Sequence, residues 1–211
     1  MPPTLRRPAF VYLDLGNVIV TFDREHALRQ MAAVAGIAPR TVHEVVIDGG
    51  LQADLERGTI DWERFHDEFS RRTGSTTDPA RLADAASDMF TLNVAMLPVI
   101  AGLEQAGVRL GILSNTCAPH WDHLMAKKYA ILPGHCAVTV LSHEVGSLKP
   151  DREIYDTAAL LTGVPADEIF FTDDIQTHVD AARSAGWDAE LFVSASGLID
   201  ALDRRGVNLG L

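Results

Sequence analysis

From residue 108 to the C-terminus, short apolar runs alternate with longer amphipathic segments, and this alternation restricts the fold more than any other feature of the sequence. The apolar runs are residues 108–113, 136–141, 168–172 and 189–193. The amphipathic segments are residues 119–129, 151–161, 175–185 and 198–205. Strands that alternate with helices of about ten to fifteen residues are typical of βαβ units. The sequence therefore predicts an α/β fold with a parallel sheet flanked by helices.

A first strand precedes this region, and a helical insertion separates it from the rest of the sheet. Residues 9–13 form an apolar run that stops at Asp14, as expected for a buried strand that leads into a loop. The pattern is then helical to about residue 106, with Asp23, Asp61 and Asp78 at the positions of helix N-caps. We predict a core of residues 1–22 and 92–211, a small inserted α-helical subdomain of residues 23–91, and a loose tail at 207–211.

The composition narrows the classes of function. The chain has 211 residues, 47% of them hydrophobic, which is enough for one core and a smaller subdomain. Its formal net charge of −11 does not favour binding to nucleic acid or to a membrane surface. The sequence shows no export signal and no apolar window of membrane-spanning length, and Cys117 and Cys136 form no disulfide framework. We therefore expect a cytoplasmic protein, monomeric or homodimeric, with a small-molecule partner.

Polar residues follow four of the predicted strands. Strand one ends at Asp14, the next at Ser114-Asn115, the third leads to Lys149, and the fourth ends at Asp173-Asp174. Right-handed crossovers bring the carboxyl ends of parallel strands to one edge of the sheet, where ligands bind in open α/β folds. We therefore expect these side chains to lie close together.

Such a set of side chains has a clear chemical use. Three neighbouring carboxylates repel one another, and a divalent cation with oxygen ligands relieves the repulsion; Mg²⁺ fits best. A metal ion, a lysine and a hydroxyl around one carboxylate can hold a phosphoryl group, and that carboxylate can attack phosphorus to form an aspartyl-phosphate. Each residue alone also has an ordinary structural explanation, such as a helix cap or a favourable acidic first turn. Their combination favours the chemical interpretation.

The same residues resemble the motifs of the haloacid dehalogenase (HAD) superfamily of hydrolases. The family's first motif is Asp-x-Asp-Gly-Thr/Val after a strand, and residues 14–18 read Asp-Leu-Gly-Asn-Val. The family's other three motifs are a Ser or Thr at the end of an apolar strand, a Lys commonly followed by Pro, and a pair of acids after a strand. Ser114, Lys149 and the acidic pair Asp173-Asp174 resemble them. The resemblance covers the whole chain and implies a Rossmann-like core with the small helical cap of subfamily I. The sequence Asp-Leu-Gly-Asn-Val at residues 14–18 is similar to the first motif of the branch that contains bacterial α-glucose-1-phosphate phosphatases.

The resemblance also implies roles for individual residues. Asp14 would be the nucleophile and a metal ligand, and the carbonyl oxygen of Gly16 would be a second ligand of Mg²⁺. Ser114 and the amide of Asn115 would hold phosphate oxygens, and Lys149 would bridge the nucleophile and the phosphate. The metal would be anchored by the acidic pair, Asp173 and Asp174, with Asp174 as the preferred direct ligand.

The chain departs from the family at Gly16. Most phosphatases of this family carry an aspartate there that protonates the leaving oxygen and later activates water, and such a group is typically worth about 10² to 10⁴ in rate. Glycine cannot do this. The candidates for its replacement are Asp23, His120, His178, an acid from the cap, or the substrate itself.

Three functions are compatible with these observations. The leading one is a Mg²⁺-dependent phosphatase that acts on a small organic phosphomonoester, for which a sugar phosphate is one candidate. The second is a metal-independent 2-haloacid dehalogenase, whose branch also lacks the second aspartate of the first motif but usually lacks the acidic pair. The third is a catalytically degenerate protein that binds a phosphate ester without turnover.

For several other residues, the first expectation is an ordinary structural role. His120 and His123, three residues apart, are expected to be partly exposed on a helix, although they could face one metal ion. The large apolar residues Trp62, Phe65, Phe69, Met89 and Phe90 are expected in the core of the helical insertion, and some of them could line a substrate pocket.

Overall fold

The computed structural model describes residues 5–127 and 136–211, which form a five-stranded parallel sheet with helices on both faces. The strands of this sheet are β1 (Phe10–Leu13), β4 (Arg109–Ser114), β5 (Val138–Leu141), β6 (Ile169–Asp173) and β7 (Asp188–Leu191). Their spatial order is β5-β4-β1-β6-β7, and every pairing between neighbours is parallel. The predicted α/β fold, a Rossmann-like parallel sheet, is confirmed.

The central strand β1 is buried on both faces because its side chains alternate between two cores. Val11 and Leu13 pack on one face with the helices α6 (Met96–Gln105) and α11 (Ala195–Asp203). Phe10 and Tyr12 pack on the other face with α9 (Arg152–Thr162) and α10 (Gln176–Ser184). Side chains of successive strand residues point to opposite faces, so an unbroken apolar run such as 10–13 suits a strand covered on both sides.

The helices that connect the strands lie close to their predicted positions, with ends displaced by up to three residues. Helix α7 spans Ala118–Ala126, and the last two residues of the predicted helix 119–129 lie outside the described part of the chain. A one-turn helix that was not predicted, α8 (Ser142–Val145), follows β5 directly, and its four residues are too few to show a period.

The prediction that the pattern is helical from residue 21 to about residue 106 is wrong at two places. The strands β2 (Val20–Phe22) and β3 (Phe90–Leu92) pair as an antiparallel ribbon at the two ends of the insertion. Each strand has three residues, and its partner lies about seventy positions away in the sequence. A strand of this kind exists because of a tertiary pairing, which local periodicity does not report.

Between this pair of strands the described chain is helical. Its helices are α1 (Arg24–Ala35), α2 (Pro39–His43), a π-helical turn (Glu44–Asp48), α3 (Leu51–Glu56), α4 (Trp62–Thr73) and α5 (Pro79–Ser87). Asp23, Asp61 and Asp78 accept hydrogen bonds from backbone N–H groups in the first turns of α1, α4 and α5, as predicted. The helices bury a cluster of their own that includes Phe65 and Phe69. The exact boundaries of the core and the cap stay a prediction.

The C-terminal tail differs from its prediction. Val207 is fully buried and Leu209 is 8% exposed, and both pack in the core on the α6 face of the sheet, so the tail is docked. Among the described helices, none combines the length and the apolar character needed to cross a bilayer.

Candidate active site

The carboxyl ends of the strands bring the predicted site residues together at one edge of the sheet. Asp14 follows β1, and Asp173 ends the adjacent strand β6. The carboxylates of Asp14, Asp173 and Asp174 each offer an oxygen, and these three oxygens lie within 4.8 Å of one another. Oxygen donors of this kind suit a hard divalent cation such as Mg²⁺. The expected convergence of acidic side chains is therefore present.

Lys149 links two of these acids from a buried position. Its ammonium Nζ lies 2.8 Å from Asp14 Oδ1, 2.5 Å from Asp173 Oδ2 and 2.9 Å from the carbonyl oxygen of Leu113. An ammonium group has three N–H donors, and all three are directed to these protein acceptors. Lys149 thus neutralises and orients the carboxylate of Asp14, and a contact with substrate would require it to release one of these bonds.

Burial and charge set the protonation of this cluster. Burial, reinforced by the neighbouring Asp173 carboxylate, raises the pKa of Asp14 to about 6, while Lys149 opposes the rise. Burial alone would raise the pKa of Asp173 and lower that of Lys149. For Asp173, the charge of Lys149 and the hydrogen bond from His178 outweigh burial, so its pKa lies below the usual range. For Lys149, the charges of Asp14 and Asp173 outweigh burial, so its pKa lies above the usual range. Asp14 is therefore ionised at neutral pH but retains a more basic carboxylate than an ordinary aspartate.

The two acids of the predicted pair have different partners. The carboxylate of Asp173 accepts hydrogen bonds from the Ile175 N–H and from His178 Nδ1, which lies 3.0 Å from each oxygen. Because an ionised carboxylate can only accept, Nδ1 of His178 carries a proton. Asp174 is less buried and accepts a hydrogen bond of 2.9 Å from Asn17 Nδ2. Asn17, to which no role was assigned from the sequence, has a φ of 54°, in the left-handed region.

Ser114 is the last residue of β4 and Asn115 follows it, beside the acidic cluster. Ser114 is buried, and its hydroxyl makes only a long contact of 3.4 Å with the Asn115 carbonyl. The Asn115 side chain pairs with the backbone of Lys149, donating to its carbonyl at 2.9 Å and accepting from its N–H at 2.8 Å. Asn115 therefore holds the segment that carries Lys149 against the end of β4.

The backbone at Gly16 is covered by the ring of Phe22. A Cβ atom built on Gly16 would lie 3.0 Å from Phe22 Cε1, which is tighter than almost all such contacts. The aromatic ring thus takes the space next to the position where the family's usual aspartate would begin. Phe22 belongs to β2, the strand that was not predicted, and the alternation Val18, Val20, Phe22 was the available signal.

A cavity of about 260 Å³ opens above this edge of the sheet, and both the sheet and the helical insertion line it. Asp14, Ser114, Asn115, Lys149 and Asp174 line its floor. The insertion contributes mostly apolar side chains, including Ala27, Leu28, Met31, Val46 and Ile47. The polar residues that it contributes are Arg24, Gln52 and Glu56, none of which was identified from the sequence. Finding them required knowledge of how the insertion folds over the sheet.

The residues that could replace the missing acid differ in whether they line this cavity and in whether they are already hydrogen-bonded. Asp23 does not line it, because its side chain caps α1 and accepts from the N–H of His26. His178 lines it but is hydrogen-bonded to Asp173. His120 also lines it, and burial lowers the pKa of this imidazole to about 4, so it is uncharged at neutral pH. A cap acid, Glu56, is present in the cavity wall.

The expectations for the histidines and aromatic residues are partly wrong. His120 is buried and packs edge-on against Phe90 at 5.4 Å between ring centroids, so it is not a partly exposed residue. His123 instead lies 3.6 Å from Asp88. Trp62, Phe65 and Phe69 belong to the apolar cluster of the insertion, whereas Met89 and Phe90 line the cavity.

No protein-family model matches this sequence. Among curated proteins, a D-ribitol-5-phosphate phosphatase of Bacteroides thetaiotaomicron is 23% identical over 187 residues, which cover 84% of this chain and 88% of that protein. A glyceraldehyde 3-phosphate phosphatase of Methanopyrus kandleri is 25% identical over 189 residues, which cover 79% and 80% of the two chains.

Solved structures show the same fold over nearly the whole chain. A structure described as a predicted HAD-like family hydrolase of Porphyromonas gingivalis has a TM-score of 0.81 and 25% identity, covering 95% of this chain and 97% of that one. A HAD family enzyme of Bacteroides thetaiotaomicron, solved with magnesium and inorganic phosphate, has a TM-score of 0.77 and 22% identity, covering 86% and 92%. An L-2-haloacid dehalogenase has a TM-score of 0.67 and 17% identity, covering 95% and 99%, so the fold alone does not separate the two chemistries.

These likenesses extend over most of the chain and agree with the four motifs at the carboxyl edge of the sheet. Over most of its length, the chain is therefore similar to two curated phosphatases and to a HAD-like family hydrolase, and it has the fold of the haloacid dehalogenase superfamily.

Proposed function

We propose that this protein is a Mg²⁺-dependent phosphatase that hydrolyses a small organic phosphomonoester through an aspartyl-phosphate at Asp14. The observation that carries the proposal is the contact of 2.8 Å between Lys149 Nζ and Asp14 Oδ1, next to the carboxylates of Asp173 and Asp174. A buried, oriented and ionised carboxylate is a suitable nucleophile. The two curated phosphatase relatives and the neighbouring structure with magnesium and phosphate support this choice.

The acidic cluster fits a magnesium ion. Asp14, Asp173 and Asp174 supply carboxylate oxygens that lie within 4.8 Å of one another, and the Gly16 carbonyl would add a backbone oxygen. When bound there, Mg²⁺ would neutralise negative charge on the carboxylates and on the phosphoryl group. Lys149 supplies one positive charge at the same place, so the site can accept a phosphate dianion although the chain as a whole has a net charge of −11.

The reaction would proceed in two displacements. The carboxylate of Asp14 attacks phosphorus, the bond to the ester oxygen breaks, and the alcohol leaves. Water then attacks the same phosphorus, breaks the acyl-phosphate bond, and restores the carboxylate with release of inorganic phosphate. Ser114 and the Asn115 amide would hold the phosphoryl oxygens through both steps, while Lys149 keeps Asp14 ionised and aligned.

The helical insertion would act as the cap that selects the substrate. Its side of the cavity carries at least five aliphatic side chains, from Ala27 to Ile47, and only a few polar groups. An ester whose alcohol part is partly apolar suits such a wall better than a sugar phosphate, because each hydroxyl turned toward it would lose its hydrogen bonds with water. A volume of about 260 Å³ limits this alcohol to a small molecule.

The dehalogenase and degenerate-binder alternatives have less support. A dehalogenase attacks carbon and needs no cation, so it gives no reason for Asp174 to lie with Asp14 and Asp173. A degenerate binder gives no reason for a nucleophile held by a buried lysine. The acidic triad and its ammonium partner therefore favour phosphoryl transfer.

The test is metal-dependent hydrolysis of 4-nitrophenyl phosphate by the wild-type protein and by Asp14→Asn. We expect turnover in the presence of Mg²⁺, its loss with EDTA, and a decrease of at least about 10³-fold in the variant because the nucleophile is gone. Asp67→Asn, which changes an exposed aspartate of α4, is the matched control and should retain full activity.

Two results would contradict the proposal. One is an unchanged rate in Asp14→Asn, which would remove that carboxylate from the chemistry. The other is release of chloride from 2-chloropropionate in EDTA, which would identify the dehalogenase reaction instead. A panel of alkyl, aryl and sugar phosphates, run with the same protein, measures whether apolar esters have the higher kcat/KM.

A further inference from the structure

Glu56 ends α3, and its backbone is fixed to the loop that follows Ser114. The Ser142 hydroxyl lies 2.6 Å from the Glu56 carbonyl oxygen and 3.0 Å from the Thr116 carbonyl oxygen, and it accepts from the Thr116 N–H at 2.9 Å. Ser142 is fully buried. This one side chain therefore connects the cap at Glu56 to a residue two positions beyond Ser114.

Two further contacts hold the same end of α3 against the body of the protein. Arg57 Nη1 lies 2.6 Å from the carboxylate of Asp151. Gly58 has a φ of +72°, and a Cβ atom there would lie 2.2 Å from the His143 carbonyl oxygen, so only glycine allows this close approach. The position of Glu56 beside the cavity is thus fixed by contacts of its own carbonyl oxygen and of the two residues that follow it.

The Glu56 side chain lines the same cavity as Asp14. Its Oε1 accepts a hydrogen bond of 2.8 Å from Gln52 Nε2, one turn earlier in α3. Among the residues that the structure describes, the acids in the cavity wall are Asp14, Asp174 and Glu56. Asp14 is hydrogen-bonded to Lys149, and Asp174, a member of the acidic triad, accepts a hydrogen bond from Asn17. Glu56 is the remaining carboxyl that can exchange a proton with a bound ester.

We propose that Glu56 is the general acid and base of the reaction and replaces the group that Gly16 lacks. The inference rests on the proposed phosphatase function and adds to it a catalytic residue from the cap. In the first displacement, Glu56 gives its proton to the ester oxygen as the bond to phosphorus breaks and Asp14 becomes phosphorylated. In the second, the Glu56 carboxylate takes a proton from the water that attacks phosphorus, which restores both carboxyl groups.

The surroundings of Glu56 suit a group that shuttles a proton. Burial raises the pKa of its carboxyl, and the Gln52 hydrogen bond and the Arg24 charge oppose the rise only in part. The groups that face it are Gln52 on its own helix, Arg24 at the start of α1, and the buried thiol of Cys117 after β4. Arg24 is exposed, so its charge is screened by solvent.

The test compares Glu56→Gln with wild type on two esters that differ in their leaving group. 4-Nitrophenyl phosphate releases a stable anion that needs no proton, whereas an alkyl phosphate such as hexyl phosphate needs one. For both esters, kcat/KM depends on the first displacement. With 4-nitrophenyl phosphate, kcat depends on the second displacement as well. Glutamine keeps an oxygen for Gln52, so the variant is expected to fold. Glu63→Gln, an exposed acid of α4, is the matched control.

We expect kcat/KM on hexyl phosphate to fall by about 10² or more in Glu56→Gln, with a change within about threefold on 4-nitrophenyl phosphate. We also expect a burst of nitrophenolate equal to the enzyme concentration, because the phosphorylated Asp14 then waits for an unactivated water. An equal fall on both esters, or no fall on either, would overturn the role of Glu56 while leaving the phosphatase intact. Absence of turnover in wild type on every ester would instead overturn the proposed function and this inference with it.

Discussion

At the scale of single residues, the absence of a side chain at Gly16 is linked to the position of the Phe22 ring. The ring of Phe22 lies close against position 16, with 3.0 Å between a Cβ atom built there and the nearest ring carbon. The glycine is therefore matched by its surroundings, and an acid cannot be restored at this position without moving the ring. This pairing explains why the proton donor would come from the cap.

The pair can be tested by restoring the family's usual acid. In the Glu56→Gln background, we expect Gly16→Asp to recover little activity on hexyl phosphate, because the new side chain collides with Phe22. Adding Phe22→Ala should raise kcat/KM by at least about tenfold, since the aspartate can then reach the leaving oxygen. Equal recovery with and without Phe22→Ala would show that the ring does not limit the position. Thermal unfolding of each variant checks that the fold is retained.

The residues of the site could be predicted where a strand end gave a local signal. Asp14, Ser114, Lys149 and the acidic pair each follow an apolar run, and the parallel sheet brings them together. Glu56 gave no such signal. It is one of many acids in a helical region, and its relation to the cavity depends on the contact between Ser142 and its carbonyl oxygen.

At the scale of elements, helix α11 is held to strand β7 by a buried arginine. Arg205 is 2% exposed and donates to Asp188 through Nε and Nη2, and its Nη1 lies 2.9 Å from Glu190. Its guanidinium also stacks on Phe170 at 4.3 Å from the ring centroid. The side chain therefore joins the edge strand, its neighbour β6 and the end of α11.

This arrangement predicts a loss of stability in Arg205→Met. Removing the cation takes the guanidinium from Asp188 and one of the two arginines that contact Glu190, and we expect the free energy of unfolding at pH 7 to fall by about 2–3 kcal/mol. The neighbouring Arg204, which is more exposed and contacts Glu190 alone at 2.7 Å, is the control; Arg204→Met should cost no more than about 1 kcal/mol. Urea unfolding of the three proteins measures both changes, and similar losses in the two variants would contradict the assignment.

The same element has a defined dependence on pH. Burial would raise the pKa of Glu190, but its hydrogen bonds to Arg205 and Arg204 outweigh this effect and hold the pKa below the usual value of 4.5. Its stabilising contribution is complete above that value and is lost as the pH falls through the lower pKa of the folded state. The acid loss of stability should therefore be smaller in Arg205→Met than in wild type.

The long helices were easier to predict from the sequence than the shortest strands. Helices such as α4 and α9 show a full amphipathic period and a cap, and they were predicted within a few residues. The strands β2 and β3 were missed because each has three residues and forms only through its partner. The docked tail was missed because Val207 and Leu209 are isolated apolar residues whose burial depends on the packing against α6.

At the scale of the whole molecule, the sheet and the helical insertion line one cavity from opposite sides. The sheet supplies a floor with three charged groups, those of Asp14, Lys149 and Asp174, and the helical insertion supplies a mostly apolar wall with one carboxyl. The cluster of the insertion includes Cys117 from the loop after β4, so the two parts share contacts as well as a cavity. In the proposed function, phosphoryl transfer takes place at the floor, and substrate choice and proton transfer depend on the wall.

The central claim, a phosphoryl group carried by Asp14, is tested most directly by trapping that species. The protein is quenched during turnover of 4-nitrophenyl phosphate with Mg²⁺ and reduced with borohydride, which converts an acyl phosphate to an alcohol. Peptide mass spectrometry should then find homoserine at position 14 and at no other aspartate, in a yield that rises in Glu56→Gln. Sustained turnover with unmodified Asp14, or homoserine at a different residue, would contradict the account.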